Sequence, residues 1–238
     1  MLRIYSDFDG TIVREDVGNR FFRTFAPIDA EQIVRGYLDG TMNARDCLTA
    51  ECAAVPKIDR ETFDQFVRAF AVDPTFPPFV EWCRTQEVPL MVLSDGLDAY
   101  VGPILSKAGL GSLPFAANRA VFWMDEKGPK LGVEFPYRDE ECEQCGNCKR
   151  NHILVTSADR DVVVYIGDGI SDRCPVRYAD IVFARRSLVA YCQEANITYH
   201  TFDNFDDVRM RLDRLQLENR LHQRREAAVA RRAVFMQG

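Results

Sequence analysis

The chain has 238 residues, and 30 basic against 36 acidic side chains give it a formal net charge of −6. Hydrophobic residues make up 47% and charged residues 28%, which excludes disorder, collagen and a coiled-coil rod for the chain as a whole. The length fits one domain of about 200–250 residues, or a core with a small insert. The negative charge argues against nucleic acid as a partner, because such binding needs a basic face.

No segment approaches the roughly 18 uncharged apolar residues that a membrane helix needs, so no membrane partner is expected. The acid at Asp7 leaves no room for a signal peptide, and we therefore expect a cytoplasmic protein. In a reducing compartment the eight cysteines are core residues or metal ligands more often than disulfides.

The first predicted strand is 2–6, and it ends at an acidic turn that begins with Asp7. From 17 to 71 the apolar residues recur at helical spacing, as in Phe63, Phe66 and Phe70, without a convincing strand. The sequence therefore predicts an all-helical insert of about 60 residues directly after the first strand. Pro77 marks its predicted end.

After the insert, the period of the pattern changes. Continuous apolar runs at 88–93, 162–166 and 180–184 suit strands that are buried on both faces of a parallel sheet. Helical segments are predicted at 97–108 and 149–157, and a hairpin with its turn at Lys127-Gly128 is predicted within 120–135. Strands that alternate with helices indicate an α/β fold with right-handed crossovers.

Polar residues stand where three of these strands end. They are Asp7 and Asp9, Ser94, and Asp168 and Asp172. The carboxyl ends of neighbouring parallel strands meet in one crevice, so these residues are expected to converge there. Four carboxylates in one place repel each other, and a hard cation such as Mg2+ relieves that repulsion. Each cluster alone could also be a turn or a helix cap, but their shared order and position favour a site.

Four segments of the chain together resemble the haloacid dehalogenase superfamily of phosphohydrolases. They are Asp7-Phe8-Asp9-Gly10-Thr11, Ser94-Asp95-Gly96, Lys149, and Gly167-Asp168-Gly169-Ile170-Ser171-Asp172. The helical insert resembles the small cap of the phosphoserine-phosphatase branch. The resemblance implies a Rossmann-like catalytic core, formed by 1–14 and 78–238, with a helical cap at 15–77. It also implies a small phosphomonoester as substrate.

The same resemblance assigns roles to residues. Asp7 would be the nucleophile that forms an aspartyl-phosphate, and Asp9 the general acid and later the base. Mg2+ would be held by Asp7, Asp168 and the main-chain carbonyl of Asp9. Asp172 would orient a metal-bound water or Lys149.

Substrate binding is the other implied role. Ser94 and Lys149 would bind the phosphoryl oxygens. The further residues expected to contact substrate are Thr11, Asp95, Gly96 and Asp16. Asp16 falls where the phosphoserine phosphatases face the substrate amine, although it is equally a helix cap. Glu51 falls where that branch has a carboxylate-binding arginine, and a charged acid there would repel phosphoserine. The solvated-surface interpretation of Glu51 stays open.

A cysteine-bearing polar loop is predicted at 136–148, just before Lys149. It resembles the 2-hydroxy-3-keto-5-methylthiopentenyl-1-phosphate phosphatases of methionine salvage, and also the phosphoethanolamine/phosphocholine phosphatases. The first substrate is preferred; phosphoserine, or phosphoryl transfer to an alcohol, is the alternative. The spacing of Cys142, Cys145 and Cys148, with His152 one helical turn on, would allow a structural Zn2+ site. A disulfide and free thiols are the alternatives.

The segment from Arg209 to Gly238 carries eight arginines and three acids on a helical pattern. An arm for nucleic acid or an acidic partner is one interpretation. We favour an amphipathic helix packed on the core or on a second subunit, because aromatic residues are not interleaved with the arginines. The protein is accordingly expected to be a monomer or a homodimer.

Overall fold

The computed structural model describes residues 1–139, 142 and 144–235. In chain order the regular elements are β1 (Leu2–Ser6), α1 (Val17–Phe25), α2 (Pro27–Leu38), α3 (Ala44–Ala54), α4 (Arg60–Val67), α5 (Phe76–Thr85), β2 (Leu90–Leu97), α6 (Asp98–Lys107), β3 (Phe115–Asp125), β4 (Gly128–Glu134), α7 (Lys149–Thr156), β5 (Val162–Gly167), β6 (Ile181–Ala184), α8 (Ser187–Glu194), β7 (His200–Thr201), α9 (Phe205–Leu217) and α10 (Arg225–Phe235). Short 3₁₀ helices span Ile170–Asp172 and Pro175–Tyr178.

The chain divides into two compact units. The first consists of residues 1–12, 72–93 and 149–238, and the second of 13–71 and 94–148. This division groups 94–148 with the helices that follow β1, whereas the sequence analysis assigned 78–238 to the core. The boundaries 1–14, 15–77 and 78–238 remain a prediction.

The first unit is built on parallel strands in the order β2-β1-β5-β6-β7. Ile4 of β1 is paired with Leu90 of β2 on one side and with Val164 of β5 on the other. The central strands are apolar on both faces because helices cover both sides of such a sheet. The predicted Rossmann-like α/β class is confirmed.

The second unit contains α1–α4, α6 and the β3–β4 hairpin. The side chains of Asp16, Asn43 and Asp59 cap α1, α3 and α4 by accepting main-chain N–H bonds, as the sequence suggested. Phe21 packs its ring against Phe63, with 4.7 Å between the ring centroids. The all-helical segment after the first strand is therefore confirmed, and so is the hairpin.

Two local expectations were wrong. The apolar run that begins near 88 does not end at Ser94, because β2 continues to Leu97. Pro77 does not mark the end of a helical block; it lies in the first turn of α5. Proline is tolerated there because the first N–H groups of a helix have no partner inside the helix.

The arginine-rich helix α10 packs on the first unit. Arg231, 5% exposed, donates to both carboxylate oxygens of Asp180 at 3.1–3.2 Å. Arg224 donates to the carbonyl oxygens of Val176 and Arg177. These contacts support the packed-helix interpretation of the segment. In the described part of the chain, no helix is long and apolar enough to cross a membrane.

Candidate active site

The acidic residues that follow β1 and β5 lie together because these strands are neighbours. The main-chain N–H of Asp7 donates to the carbonyl oxygen of Ile166 at 2.9 Å, which joins the two strand ends. Carboxylate oxygens of Asp7, Asp168 and Asp172 all lie within 4.8 Å of one another. These three residues are called the carboxylate cluster below.

Lys149 is the first residue of α7, and its side chain is almost completely buried in this cluster. Its Nζ donates to Asp7 Oδ1 at 2.6 Å, to Asp172 Oδ1 at 2.8 Å and to Ser171 Oγ at 3.0 Å. With only 2% of its side chain exposed, the ammonium depends on these partners instead of water. Residues 142 positions apart are thus joined by a buried ion pair.

Asp172 is held by more donors than the lysine alone. Its Oδ1 accepts from the hydroxyl of Tyr165 at 2.6 Å, and its Oδ2 accepts from the main-chain N–H groups of Asp168 and Gly169 at 2.9 and 3.0 Å. The 3₁₀ helix Ile170–Asp172 brings the side chain back toward the end of β5. Its orientation is therefore fixed from both oxygens.

Burial and mutual repulsion shift the pKa values of the cluster. Burial, and next the charge of Asp172, raise the pKa of Asp7 well above its ordinary value, and Lys149 opposes that rise. Burial and Asp172 also raise the pKa of Asp168 to about 6, against the effect of Arg186. The cluster offers only carboxylate oxygens, and these are the donors that Mg2+ prefers. The observed donor set therefore fits a magnesium ion.

Two arginines at the end of β6 were missed by the sequence analysis. Arg186 Nη1 is 3.0 Å from Asp168 Oδ2, and Arg185 donates to the carbonyl oxygens of Gly10 and Thr11. Their signal was available, because β6 is another buried strand whose carboxyl end lies at the same edge of the sheet. We had searched those ends for acids and hydroxyls alone.

The remaining predicted residues of the first unit are placed as follows. Asp9 is half-buried, two residues after Asp7. Thr11 is fully buried, and its Oγ1 is 3.5 Å from Asp168 Oδ1, which is a weak contact. His152 is buried, and burial lowers its pKa to about 4.

Ser94, Asp95 and Gly96 lie in the second unit, in the last half of β2. Ser94 is buried and its Oγ accepts from the main-chain N–H of Gly96 at 3.0 Å. Asp95 Oδ1 accepts from the N–H of Asn147 at 3.0 Å, and the Asp95 carbonyl accepts from Asn118. The carboxylate of Asp95 therefore holds the chain just before Lys149.

Glu51 of α3 is buried and not a solvated surface residue. Burial, and next the charge of Asp16, raise the pKa of Glu51 to about 8, while a hydrogen bond with Cys47 opposes the shift. At neutral pH the carboxyl is therefore mostly protonated. This corrects the expectation of a charged acid that repels a substrate carboxylate.

The described residues of the cysteine loop, 136–148, are organised by an asparagine. Asn147, with no exposed surface, donates through Nδ2 to the carbonyl oxygens of Ser94 at 2.8 Å and Ala116 at 3.0 Å. Gly146 packs so tightly that an added Cβ would lie 3.0 Å from the ring of Phe135. This asparagine was missed because the thiols beside it drew the attention.

The structure does not support the zinc hypothesis. Throughout residues 1–139, 142 and 144–235, the one group of three or more His, Cys, Asp or Glu ligand atoms close enough to share an ion is the carboxylate cluster. The sulfur atoms of Cys142, Cys145 and Cys148 do not form such a group, whereas thiolates on one zinc ion must approach each other closely. None of the eight cysteines, all within the described residues, forms a disulfide.

A buried carboxylate cluster at the carboxyl edge of a parallel sheet, with a lysine bound to two of its members, is the site of a phosphomonoester hydrolase. The model of the haloacid dehalogenase-like hydrolases matches residues 4–175. The chain belongs to this family.

Curated relatives narrow the comparison. A 2-hydroxy-3-keto-5-methylthiopentenyl-1-phosphate phosphatase of Brevibacillus brevis is 29% identical over 220 residues, which cover 91% of this chain and 97% of the relative. The phosphatase of that name from Bacillus mycoides is 30% identical, with 90% and 97% covered. Among solved structures, a substrate-bound phosphoserine phosphatase has a TM-score of 0.65 at 17% identity, with 87% and 97% covered. At that identity the likeness concerns the fold.

Proposed function

We propose that this protein is a Mg2+-dependent phosphatase that hydrolyses 2-hydroxy-3-keto-5-methylthiopentenyl-1-phosphate through an aspartyl-phosphate. The observation that carries the chemistry is the buried contact of Lys149 with Asp7 and Asp172. It places a fixed positive charge beside a carboxylate oxygen at the end of β1, where a phosphoryl group would react. The substrate rests on the curated relatives that carry its name.

Asp7 is the proposed nucleophile. One of its oxygens attacks phosphorus, the ester oxygen leaves, and water later hydrolyses the aspartyl-phosphate. An anion would not approach three carboxylates unaided. Lys149 offsets part of their charge, and because it is already held in place, it stabilises the phosphoryl oxygens without reorganisation. Mutual positioning of this kind is the main contribution of a protein to phosphoryl transfer.

Asp9 is the proposed general acid, which protonates the leaving oxygen and then, as a base, activates water. Two residues after Asp7, its side chain lies on the same side of an extended segment. Thr11, Ser94, Asp95, Gly96 and Asp16 are proposed to contact the substrate, as the family resemblance implies.

Asp7, Asp168 and the main-chain carbonyl of Asp9 would hold Mg2+, with Asp172 orienting a metal-bound water or Lys149. When bound, the ion supplies positive charge that the cluster lacks and that the phosphoryl oxygens require. EDTA should abolish activity and Mg2+ should restore it. Ca2+ should inhibit, because its larger and looser coordination shell misplaces the phosphoryl group. Full activity with Ca2+ would contradict this assignment.

The second candidate substrates are phosphoserine and phosphoethanolamine or phosphocholine. A protonated Glu51 neither repels nor attracts a substrate carboxylate, so it gives phosphoserine no anchoring charge. Initial rates on a panel of these esters and the enolphosphate, with and without Mg2+, test the proposal. The enolphosphate should have the highest kcat/KM; a preference for phosphoserine would overturn the substrate but leave the chemistry intact.

Phosphoryl transfer from Asp7 to an alcohol is a rival for the second half of the reaction. Assays that contain an acceptor alcohol separate the two. Inorganic phosphate as the main product supports hydrolysis, and a new phosphate ester in excess over phosphate contradicts it.

A further inference from the structure

Arg185, which follows β6, joins the loop that begins at Asp7 to the rest of the first unit. Its Nη2 donates to the carbonyl oxygens of Gly10 and Thr11, the latter at 2.9 Å, and its Nη1 donates to the carbonyl of Asp203 at 3.1 Å. The guanidinium also lies over the ring of Phe202, 4.9 Å from its centroid. One half-buried side chain thus spans two loops that are about 190 residues apart in sequence.

The main chain at this point is held in an unfavourable conformation. Arg186 has φ 49° and ψ −132°, a region that glycine enters readily and other residues enter at a cost of about 1–3 kcal/mol. Two bonds enforce it: the N–H of Arg185 donates to the Gly167 carbonyl at 3.2 Å, and that of Leu188 to the Asp168 carbonyl at 3.0 Å. The arginine pair is therefore anchored on the loop that carries Asp168.

The other end of the link is equally tight. Gly10 has φ 74°, and a Cβ there would collide with the side chains of Asp168 and Arg186. The loop from Asp7 to Thr11 is thus pressed against the end of β5, with its last two carbonyls bound by Arg185. Asp9 lies between the ends of this short loop, so its carboxyl can be no better placed than the main chain that carries it.

We propose that Arg185 is a positioning residue for general-acid catalysis, which fixes the main chain at Gly10 and Thr11 so that Asp9 meets the leaving oxygen. The inference rests on the proposed function, in which Asp9 is the acid. It assigns a role in the reaction to a side chain that contacts neither substrate nor metal.

The test uses the dependence of rate on the leaving group. An alkyl phosphate needs its leaving oxygen protonated, whereas p-nitrophenyl phosphate departs without a proton. Arg185→Gln removes the guanidinium and its bonds to the loop. We expect its kcat on an alkyl phosphate to fall by about ten-fold more than its kcat on p-nitrophenyl phosphate. A change that merely weakened the fold would lower both rates equally.

Arg224→Gln is the matched control. Arg224 also donates to two successive main-chain carbonyls in the same unit, those of Val176 and Arg177, but not to the loop that carries Asp9. It should lower the melting temperature without changing the ratio of the two rates. Arg185→Lys, which keeps the charge but has fewer donors, should give an intermediate ratio.

Asp9→Asn separates the inference from the function on which it rests. A selective loss on alkyl phosphate in Asp9→Asn, shared by Arg185→Gln, supports the inference. If Asp9→Asn is selective but Arg185→Gln slows both esters equally, the role of Arg185 is overturned and the acid role stands. If Asp9→Asn is not selective, the acid role fails first. Should Arg185→Gln not fold, an unchanged ratio in Arg185→Lys overturns the inference.

Discussion

The carboxylate cluster and the cysteine loop are held together in opposite ways. In the cluster, charged side chains bind one another: Lys149 bridges Asp7 and Asp172, and the acids have raised pKa values because water is excluded. In the loop, the conspicuous side chains are thiols, yet a neutral amide, that of Asn147, makes the buried hydrogen bonds. Residues with evident chemistry thus organise the first region but not the second.

The largest effect is expected where the comparison starts. Asp7→Asn should reduce turnover on the order of 10⁴-fold or more, since loss of the nucleophile removes the covalent route. Trapping of the phosphorylated enzyme should fail in the same variant. The control is Asp64→Asn, which removes an exposed acid from an i,i+4 ion pair and should leave activity unchanged. Substantial turnover in Asp7→Asn would exclude the aspartyl-phosphate.

Lys149→Met tests whether the cluster depends on its single buried ammonium. Removal of one partner leaves buried carboxylates uncompensated, which costs about 3–5 kcal/mol of the free energy of unfolding. Denaturant unfolding at pH 7 measures this loss. Lys127→Met, on the exposed hairpin turn, is the control and should change stability by less than about 0.5 kcal/mol. A loss of that small size in Lys149→Met would mean that the acids are not charged.

The loss in Lys149→Met should also depend on pH. Lys149 holds the pKa of Asp7 down, so without it that pKa rises further above its value in the unfolded chain. Between those two values the folded state binds more protons than the unfolded state, and its stability falls as pH rises. The deficit relative to the wild type should therefore be larger at pH 8 than at pH 5. A deficit that is the same at both values would contradict the assignment.

Asn147→Ala tests the organiser of the cysteine loop. It leaves the buried carbonyl oxygens of Ser94 and Ala116 without their donor, which costs about 1–3 kcal/mol. Thermal unfolding should report the loss, and Gln144→Ala, an exposed change in the same loop, should be neutral. Equal effects of the two variants would show that the asparagine does not hold the loop.

The smallest effect is expected from the thiols. Cys145→Ser should change stability and kcat/KM little, and elemental analysis of untagged protein should find no stoichiometric zinc. All eight cysteines should react with an alkylating reagent after denaturation without reductant. About one zinc per chain, lost in Cys145→Ser, would restore the zinc hypothesis and reverse the comparison.

These two regions also show what a sequence can reveal. Asp7, Asp168 and Lys149 were predictable because the end of a buried parallel strand fixes where the next side chain goes, and their types suit one chemistry. Asn147 and Arg185 were not, because they bind main-chain carbonyls. Any residue can supply a carbonyl, so the partner leaves no trace in the sequence. The burial of Glu51 was hidden for a related reason, since helical spacing does not say which face is covered.

Asp180 connects the packing of α10 to the end of the sheet opposite the carboxylate cluster. Its Oδ2 accepts from the main-chain N–H of Val163, near the start of β5, and the same carboxylate is bound by Arg231 of α10. When α10 detaches, this carboxylate loses its buried counter-charge, and the start of β5 loosens with it. The amide protons of Val163 and Ala227 should therefore exchange with solvent as one cooperative unit, slowed by the same factor, although they are 64 residues apart in sequence.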